Sequence, residues 1–162
     1  MIAKLALLAA TSHALAPNAV TSVIREKLAE VEEPAALDLA AKYEAVDLPS
    51  SRTTFVRTNA KSAAPALVLL HGFDSSLFEY RRLLPQLEAQ GVEAYALDLV
   101  GWGLTSPKQG VDIAAKRQQI EEFVRDVVRG PCVLAGASLG AAVVVDALQN
   151  GKVENVEKVA LI

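Results

Sequence analysis

The sequence predicts an α/β domain built on a mainly parallel sheet with flanking helices. Two observations support this prediction. Short, continuous apolar runs recur after residue 65, and segments with apolar residues at helical spacing separate them. Strands of a parallel sheet are covered by helices on both faces and therefore lack an alternating polar side. With 162 residues, 52% of them hydrophobic, the chain has enough apolar material for the core of one domain.

The predicted elements alternate along the chain. Four strands are predicted at residues 66–70, 92–97, 132–135 and 156–162. Helices are predicted between them over residues 76–90, 113–128 and 139–149, where apolar residues recur every three or four positions. Ser76 and Glu79 form a capping-box pattern at the start of the first of these helices. Since alternating strands and helices join through right-handed crossovers, we expect the four strands to run parallel.

The chain before residue 66 differs in character. Residues 53–57 alternate in polarity and predict a strand, and we expect the compact domain to span residues 46–162. Apolar spacing predicts one helix over residues 20–33 and a second, weaker helix over residues 35–45. Residues 17–45 are therefore interpreted as a transit or linker region.

The first residues are typical of a targeting segment. Residues 1–16 combine a positive start, a short apolar run and small residues where signal peptidase cleaves. The apolar run is shorter than the ~20 residues of a membrane-spanning helix. Cleavage after Ala14 leaves Leu15, Ala16 and Pro17 at the new start, which resembles the bipartite plastid presequences of algae with secondary plastids. We therefore expect a plastid location, with the secretory pathway, or an uncleaved buried helix, as alternatives.

The composition excludes several classes of function. The 16 Lys and Arg residues against 19 Asp and Glu give a net charge of −3 without a basic cluster, so a nucleic-acid partner is not expected. One cysteine and two histidines cannot supply the usual four ligands of a His/Cys metal site. We expect neither a metal nor a cofactor, and the composition leaves the oligomeric state open.

Residues 136–140, Gly-Ala-Ser-Leu-Gly, form a G-x-S-x-G motif between a predicted buried strand and a predicted helix. This context is typical of a nucleophile elbow, a tight turn that presents the serine Oγ. The turn requires a strained backbone at Ser138, and a Cβ at Gly136 or Gly140 would strike the neighbouring strand or helix. The Leu139 N–H, at the helix N-terminus, is then expected to face the oxyanion formed when Ser138 attacks a carbonyl. The alternative is an ordinary glycine-rich turn with a solvent-facing serine.

A second loop follows the first buried strand and begins His71-Gly72-Phe73-Asp74. In this architecture we expect the Phe73 N–H to complete the oxyanion hole. His71 precedes the nucleophile and lies on the same loop, so we interpret it as a residue that orients the loop, with Gly72 in support, rather than as the catalytic base.

Three motifs together resemble the α/β-hydrolase family. They are HGFDSS at residues 71–76, DxxGWG at residues 98–103 and SLGAA at residues 138–142, and they are most similar to segments of plant plastid-targeted α/β-hydrolases. Asp98 is then interpreted as a turn-forming residue and Thr105 stands where Ser is usual. The resemblance implies an α/β-hydrolase fold that stops after about the sixth strand. It also implies a serine hydrolase acting on carboxylic esters or thioesters of small-molecule or lipid acyl substrates.

The expected triad is incomplete in the sequence. The family order is Ser, then Asp or Glu, then His, yet Asp146, Glu154 and Glu157 are the acidic residues that follow Ser138 and no histidine does. None of these three is expected to be the triad acid. We therefore interpret the chain as an incomplete and inactive part of a longer hydrolase. The alternatives are a non-catalytic pseudo-hydrolase that binds ligands or acts as a scaffold, and a half-domain completed by a partner chain.

Overall fold

The computed structural model describes residues 31–162. Residues 1–16, the 17–30 part of the predicted 17–45 region and most of the helix predicted over 20–33 lie outside the described residues. The strands are β1 (Glu44–Asp47), β2 (Ser51–Arg57), β3 (Ala66–Leu70), β4 (Ala94–Leu97), β5 (Ser106–Pro107), β6 (Cys132–Gly136) and β7 (Val156–Leu161). The helices are α1 (Pro34–Ala40), α2 (Leu83–Ala89), α3 (Ile113–Phe123) and α4 (Leu139–Asn150).

The described strands form one mixed sheet in the order β1-β2-β4-β3-β6-β7, with β5 paired to β2. The four strands predicted as parallel, β3, β4, β6 and β7, do pair in parallel. The earlier strand β2 pairs antiparallel with β1, β4 and β5. The α/β prediction is therefore confirmed, with an antiparallel addition on one side.

Helices cover both faces of the sheet, as the continuous apolar runs predicted. Along β3, Val68 and Leu70 belong to one buried cluster, which also holds Ile120 of α3 and Val143 of α4. Leu69, between them, belongs to the opposite cluster with residues of α1 and α2. Successive side chains of a strand point to opposite faces, so both faces of β3 are buried.

The central strand β6 carries the lone cysteine of the chain into this core. Cys132 is fully buried among apolar side chains. Burial raises the pKa of its thiol to about 11. The thiol therefore behaves as a small apolar core group.

The N-terminal part of the domain extends further than the predicted start at Val46. That residue lies inside β1, and Leu39 and Ala40 of α1 are buried in the core with Tyr43. The helix expected over residues 35–45 ends at Ala40, and β1 follows. Because β1 is short and has no clean alternation, its sequence carries little strand signal.

The helix predicted over residues 76–90 is divided into two pieces. A short 3-10 helix covers Leu77–Tyr80 and α2 begins at Leu83. Pro85 explains the division because it has no N–H to continue a helix from the preceding turn. The capping box is also corrected: Ser76 Oγ accepts from the Phe78 N–H, whereas the Glu79 carboxylate bonds to the loop before the helix.

Candidate active site

The candidate residues come together at the carboxyl ends of the parallel strands. In register, Leu70 pairs with Leu97 on one side and with Gly136 on the other. The loops that follow these three strands therefore start side by side. They carry His71, Asp98 and Ser138, which lie far apart in the sequence.

The turn between β6 and α4 has the strained geometry predicted for an elbow. Ser138 has φ 48° and ψ −105°, a conformation that non-glycine residues rarely adopt, and its side chain is exposed. Its N–H donates to the Ile162 carbonyl (2.8 Å), and the Ala137 N–H donates to the Leu70 carbonyl (3.0 Å). These two bonds hold the turn between β3 and the end of β7.

The two glycines of the motif are where the chain passes closest to itself. A Cβ on Gly136 would lie 2.3 Å from the Gly140 carbonyl carbon, and a Cβ on Gly140 would lie 2.1 Å from the Leu70 oxygen. Both distances are shorter than any real Cβ contact, and the atoms met are backbone. The predicted steric requirement for glycine is confirmed at both positions.

His71 clamps the start of the second loop through both ring nitrogens. The imidazole is fully buried, and its Nε2 accepts from the Leu99 N–H (3.0 Å). A backbone N–H can only donate, so Nε2 carries no proton and Nδ1–H donates to the Gly72 carbonyl (2.8 Å). Burial lowers the pKa of His71, which also favours the neutral ring. Neither nitrogen is available to take a proton from Ser138.

The hydrogen bond from His71 to the Gly72 carbonyl sets the direction of the N–H that follows it, that of Phe73. In a trans peptide the C=O and the N–H point in opposite directions, so His71 fixes the Phe73 N–H through the Gly72 carbonyl. Neither this N–H nor that of Leu139 has an acceptor among the described residues. Gly72 lies against the elbow, since a Cβ on it would be 3.8 Å from Ser138 Cβ.

Asp98 organises the third loop from inside the protein. One carboxylate oxygen accepts from the Leu77 N–H (2.8 Å), and the other from the Thr54 hydroxyl (2.7 Å) and the Leu104 N–H (3.0 Å). Thr105 donates its hydroxyl to the Asp98 carbonyl (2.8 Å). The side chain is fully buried and engaged in turn contacts, in agreement with its interpretation as a turn-forming residue.

An apolar groove of about 390 Å³ opens beside the elbow. Phe73, 71% exposed, forms one wall and packs edge-on against Trp102 with ring centroids 4.9 Å apart. Lys116 lies in the wall with its ammonium donating to the Val111 carbonyl, and burial lowers its pKa. The lining residues are Phe73, Gly101, Trp102, Val111, Asp112, Ile113, Lys116 and Leu139.

The acidic residues after Ser138 lie away from its hydroxyl or are engaged elsewhere. Asp146, on α4, forms an ion pair with Arg117 (2.8 Å) and accepts from Asn150. Glu154 and Glu157 are exposed around the amino end of β7, whereas Ser138 lies at the carboxyl end of β6. Between residues 31 and 162 no cluster of three or more potential metal ligands occurs. No helix in this part of the chain is long and apolar enough to cross a membrane.

The sequence did not indicate the roles of two residues near the carboxyl ends of these strands. Gln119, on α3, is buried and bonds to the Val100 N–H and the Asp98 carbonyl. Glu79 bonds to the loop that carries Phe73. Gln119 bonds to residues 19 and 21 positions earlier, which no local pattern indicates. Glu79 bonds to residues only 7 and 4 positions earlier, but its position three residues after Ser76 indicated a helix cap instead.

A plant protein has a similar sequence over most of the chain. The chain is 33% identical over 132 residues to the alpha/beta hydrolase domain-containing protein VTE7 of Arabidopsis thaliana, a match that covers 75% of this chain and 40% of the Arabidopsis protein. The chain thus spans less than half the length of that relative.

Solved structures share the fold. The crystal structure of epoxide hydrolase A from Mycobacterium thermoresistibile superposes with a TM-score of 0.63 at 25% identity, over 74% of this chain and 38% of that one. A membrane phospholipase A, described as a bacterial virulence factor, superposes with a TM-score of 0.66 at 22% identity, over 90% and 44%. The model of the alpha/beta hydrolase family matches residues 67–161, from β3 to β7. The chain therefore belongs to the alpha/beta hydrolase family.

Proposed function

We propose that the protein is a serine hydrolase of carboxylic ester or thioester bonds, with Ser138 as the nucleophile. The observation that supports this most is the exposed, positive-φ Ser138 beside two N–H groups, those of Phe73 and Leu139, that have no acceptor between residues 31 and 162. Such N–H groups are the usual oxyanion hole of acyl transfer, and losing one donor typically costs about 10²–10³ in rate.

In the proposed reaction Ser138 Oγ loses its proton to solvent and bonds to the carbonyl carbon, while the C=O electron pair moves to oxygen. The oxyanion accepts from the Phe73 and Leu139 N–H groups. Collapse of the intermediate breaks the bond to the alcohol or thiol, which leaves with a proton, and an acyl-serine remains. Water then attacks the carbonyl carbon of this ester, the bond to Ser138 Oγ breaks, the acyl group leaves as a carboxylic acid, and the hydroxyl is restored.

A general base is the component that the described residues do not supply. His71 uses both ring nitrogens for loop contacts, and Asp146 is paired with Arg117. We therefore propose that the chain is acylated and deacylated slowly, because the hydroxyl of Ser138 has no partner among residues 31–162 to take its proton. Loss of a triad member lowers the rate by about 10⁴–10⁶.

The apolar groove supports a substrate with an apolar acyl or alcohol group. Phe73 and Leu139 line it and also carry the two proposed oxyanion donors, so a group seated there lies next to the reacting carbonyl. This supports the small-molecule or lipid acyl ester class over charged substrates. A plastid location is also part of the proposal. The residues that would direct it lie outside the described part of the chain.

The test is acetylation of Ser138 by p-nitrophenyl acetate with and without added imidazole, which can replace a missing base. We expect a slow burst of p-nitrophenolate, faster with imidazole, and a protein mass increased by one acetyl group on the peptide that contains Ser138. Ser138→Ala should abolish the burst and the mass increase, while background hydrolysis by imidazole continues. An unmodified wild-type protein under these conditions would refute the proposal.

A non-catalytic binding protein is the second candidate, and the absence of a base among the described residues favours it. It predicts binding of apolar esters in the groove without acetylation of Ser138. Epoxide hydrolysis, the activity named for one of the structural relatives, is less well supported. Family members with that activity resemble this turn but have Asp at the nucleophile position, where this chain has Ser138.

A further inference from the structure

We infer that Glu79 is a positioning residue that holds the oxyanion loop, defined as residues 71–76, in its active shape. The inference rests on the proposed function, in which the Phe73 N–H of this loop stabilises the oxyanion. Glu79 lies on the 3-10 helix that follows the loop, and its side chain turns back toward the elbow.

One carboxylate oxygen of Glu79 joins the two ends of the oxyanion loop. Its Oε2 accepts from the Gly72 N–H (3.2 Å) and from the Ser75 hydroxyl (3.0 Å). It also lies near the elbow, because a Cβ on Gly72 would be 4.0 Å from this oxygen and 3.8 Å from Ser138 Cβ. The contact therefore fixes the loop within a few ångströms of the reacting hydroxyl.

Glu79 and His71 hold consecutive peptides of the loop. Glu79 holds the Gly72 N–H, which belongs to the peptide between residues 71 and 72. His71 holds the Gly72 carbonyl, which belongs to the next peptide and sets the direction of the Phe73 N–H. Removing either contact frees a backbone rotation that turns the Phe73 N–H away from the oxyanion.

The contacts from Glu79 and His71 both depend on the residues that directly follow β4. The Leu77 N–H donates to Asp98 and fixes the short helix that carries Glu79. The Leu99 N–H donates to His71. The two neighbouring residues Asp98 and Leu99 thus position the oxyanion loop from opposite ends.

This role requires a side chain as long as that of glutamate rather than a negative charge. A bond from an N–H to a carboxylate is stronger than one to a neutral acceptor, but a negative charge near a developing oxyanion opposes catalysis. A glutamine has the same length and one acceptor oxygen, whereas an aspartate keeps the charge and is too short. We therefore expect Glu79→Gln to behave like wild type, and Glu79→Asp to behave like Glu79→Ala.

Two measurements on each variant test the inference. The first is amide hydrogen exchange of Gly72, whose N–H donates to Glu79, expected to be about tenfold faster in Glu79→Ala and Glu79→Asp but not in Glu79→Gln. The second is the imidazole-assisted acetylation rate of Ser138, expected to fall about tenfold in the same two variants at unchanged half-saturating ester concentration. A purely structural role would lower the melting temperature of all variants without this division.

The matched control is Glu88→Ala. Glu88 also accepts from a loop N–H, that of Asn59, and from the Lys42 ammonium, but it lies on α2 near the amino end of β4, at the opposite edge of the sheet. It should leave the exchange of Gly72 and the acetylation rate unchanged. If wild-type Ser138 is not acetylated, the proposed function fails while the exchange data still test Glu79. Unchanged exchange of Gly72 in Glu79→Ala would overturn the inference.

Discussion

Steric crowding fixes one of the two loops that meet at the site, and side-chain hydrogen bonds fix the other. The elbow at residues 136–140 is fixed by backbone crowding, since both glycines lie where a Cβ would collide with main-chain atoms. The oxyanion loop is fixed by side-chain hydrogen bonds from His71 and Glu79, with Asp98 behind them. The two elbow glycines therefore tolerate no added side-chain atom, whereas the oxyanion loop depends on hydrogen-bond acceptors and on the protonation state of His71.

Gly140→Ala should have the largest effect on stability, because it tests the crowded loop directly. Its Cβ would lie 2.1 Å from the Leu70 oxygen, and β3 and α4 must separate to admit it. We expect a loss of about 3 kcal/mol or more in the free energy of unfolding, measured by urea denaturation. Gly130→Ala is the control, because its Cβ would meet only the Val128 oxygen, at an ordinary 3.9 Å. Equal midpoints for the two variants would show that the elbow is not sterically closed.

His71→Ala tests the hydrogen-bonded loop and should cost somewhat less. It leaves the buried Leu99 N–H without an acceptor and opens a small cavity. Together these effects are expected to cost about 2 kcal/mol in unfolding free energy. The acetylation rate should fall more than stability accounts for, because the Phe73 N–H loses its orientation. A variant that is destabilised but acetylated at the wild-type rate would separate His71 from the proposed site.

The pH dependence of stability sharpens the same comparison. Burial lowers the pKa of His71 in the folded protein, while the unfolded chain protonates near pH 6.5. The unfolded state therefore binds the extra proton first, and stability should fall as the pH drops below about 6.5 until the folded-state pKa is passed. The slope is at most about 1.4 kcal/mol per pH unit. Urea denaturation between about pH 7.5 and about pH 5 should show this loss of unfolding free energy in the wild type. His71→Gln has no imidazole to protonate and should lack the loss.

Ser138→Ala is expected to have the smallest effect on stability. It removes a hydroxyl from an exposed side chain and leaves the positive φ in place, so the unfolding midpoint should stay within about 0.5 kcal/mol of wild type. A clear loss of stability would indicate a structural role for the hydroxyl. Thermal and urea denaturation of the purified variant provide the measurement.

The sequence alone determined the central α/β part of the protein and the elbow. The predicted strand at residues 66–70 and the helix starting at Leu139 match the structure closely, and the glycine spacing around Ser138 correctly indicated crowding. These features depend on local sterics and on periodic burial, which leave a signature within a few neighbouring residues.

Tertiary structure decided the rest, because it depends on contacts that the local sequence pattern does not specify. The sequence placed His71 on its loop, but its tautomer follows from the Leu99 N–H, 28 residues later. Glu79 fitted a local cap pattern, yet the folded loop offers it the Gly72 N–H instead. Strand β1 entered the sheet because β2 presents an edge to it, not because its own sequence favours a strand. A hydrogen bond between distant residues leaves no periodic signal in the sequence, so only the folded chain shows which donor each acceptor meets.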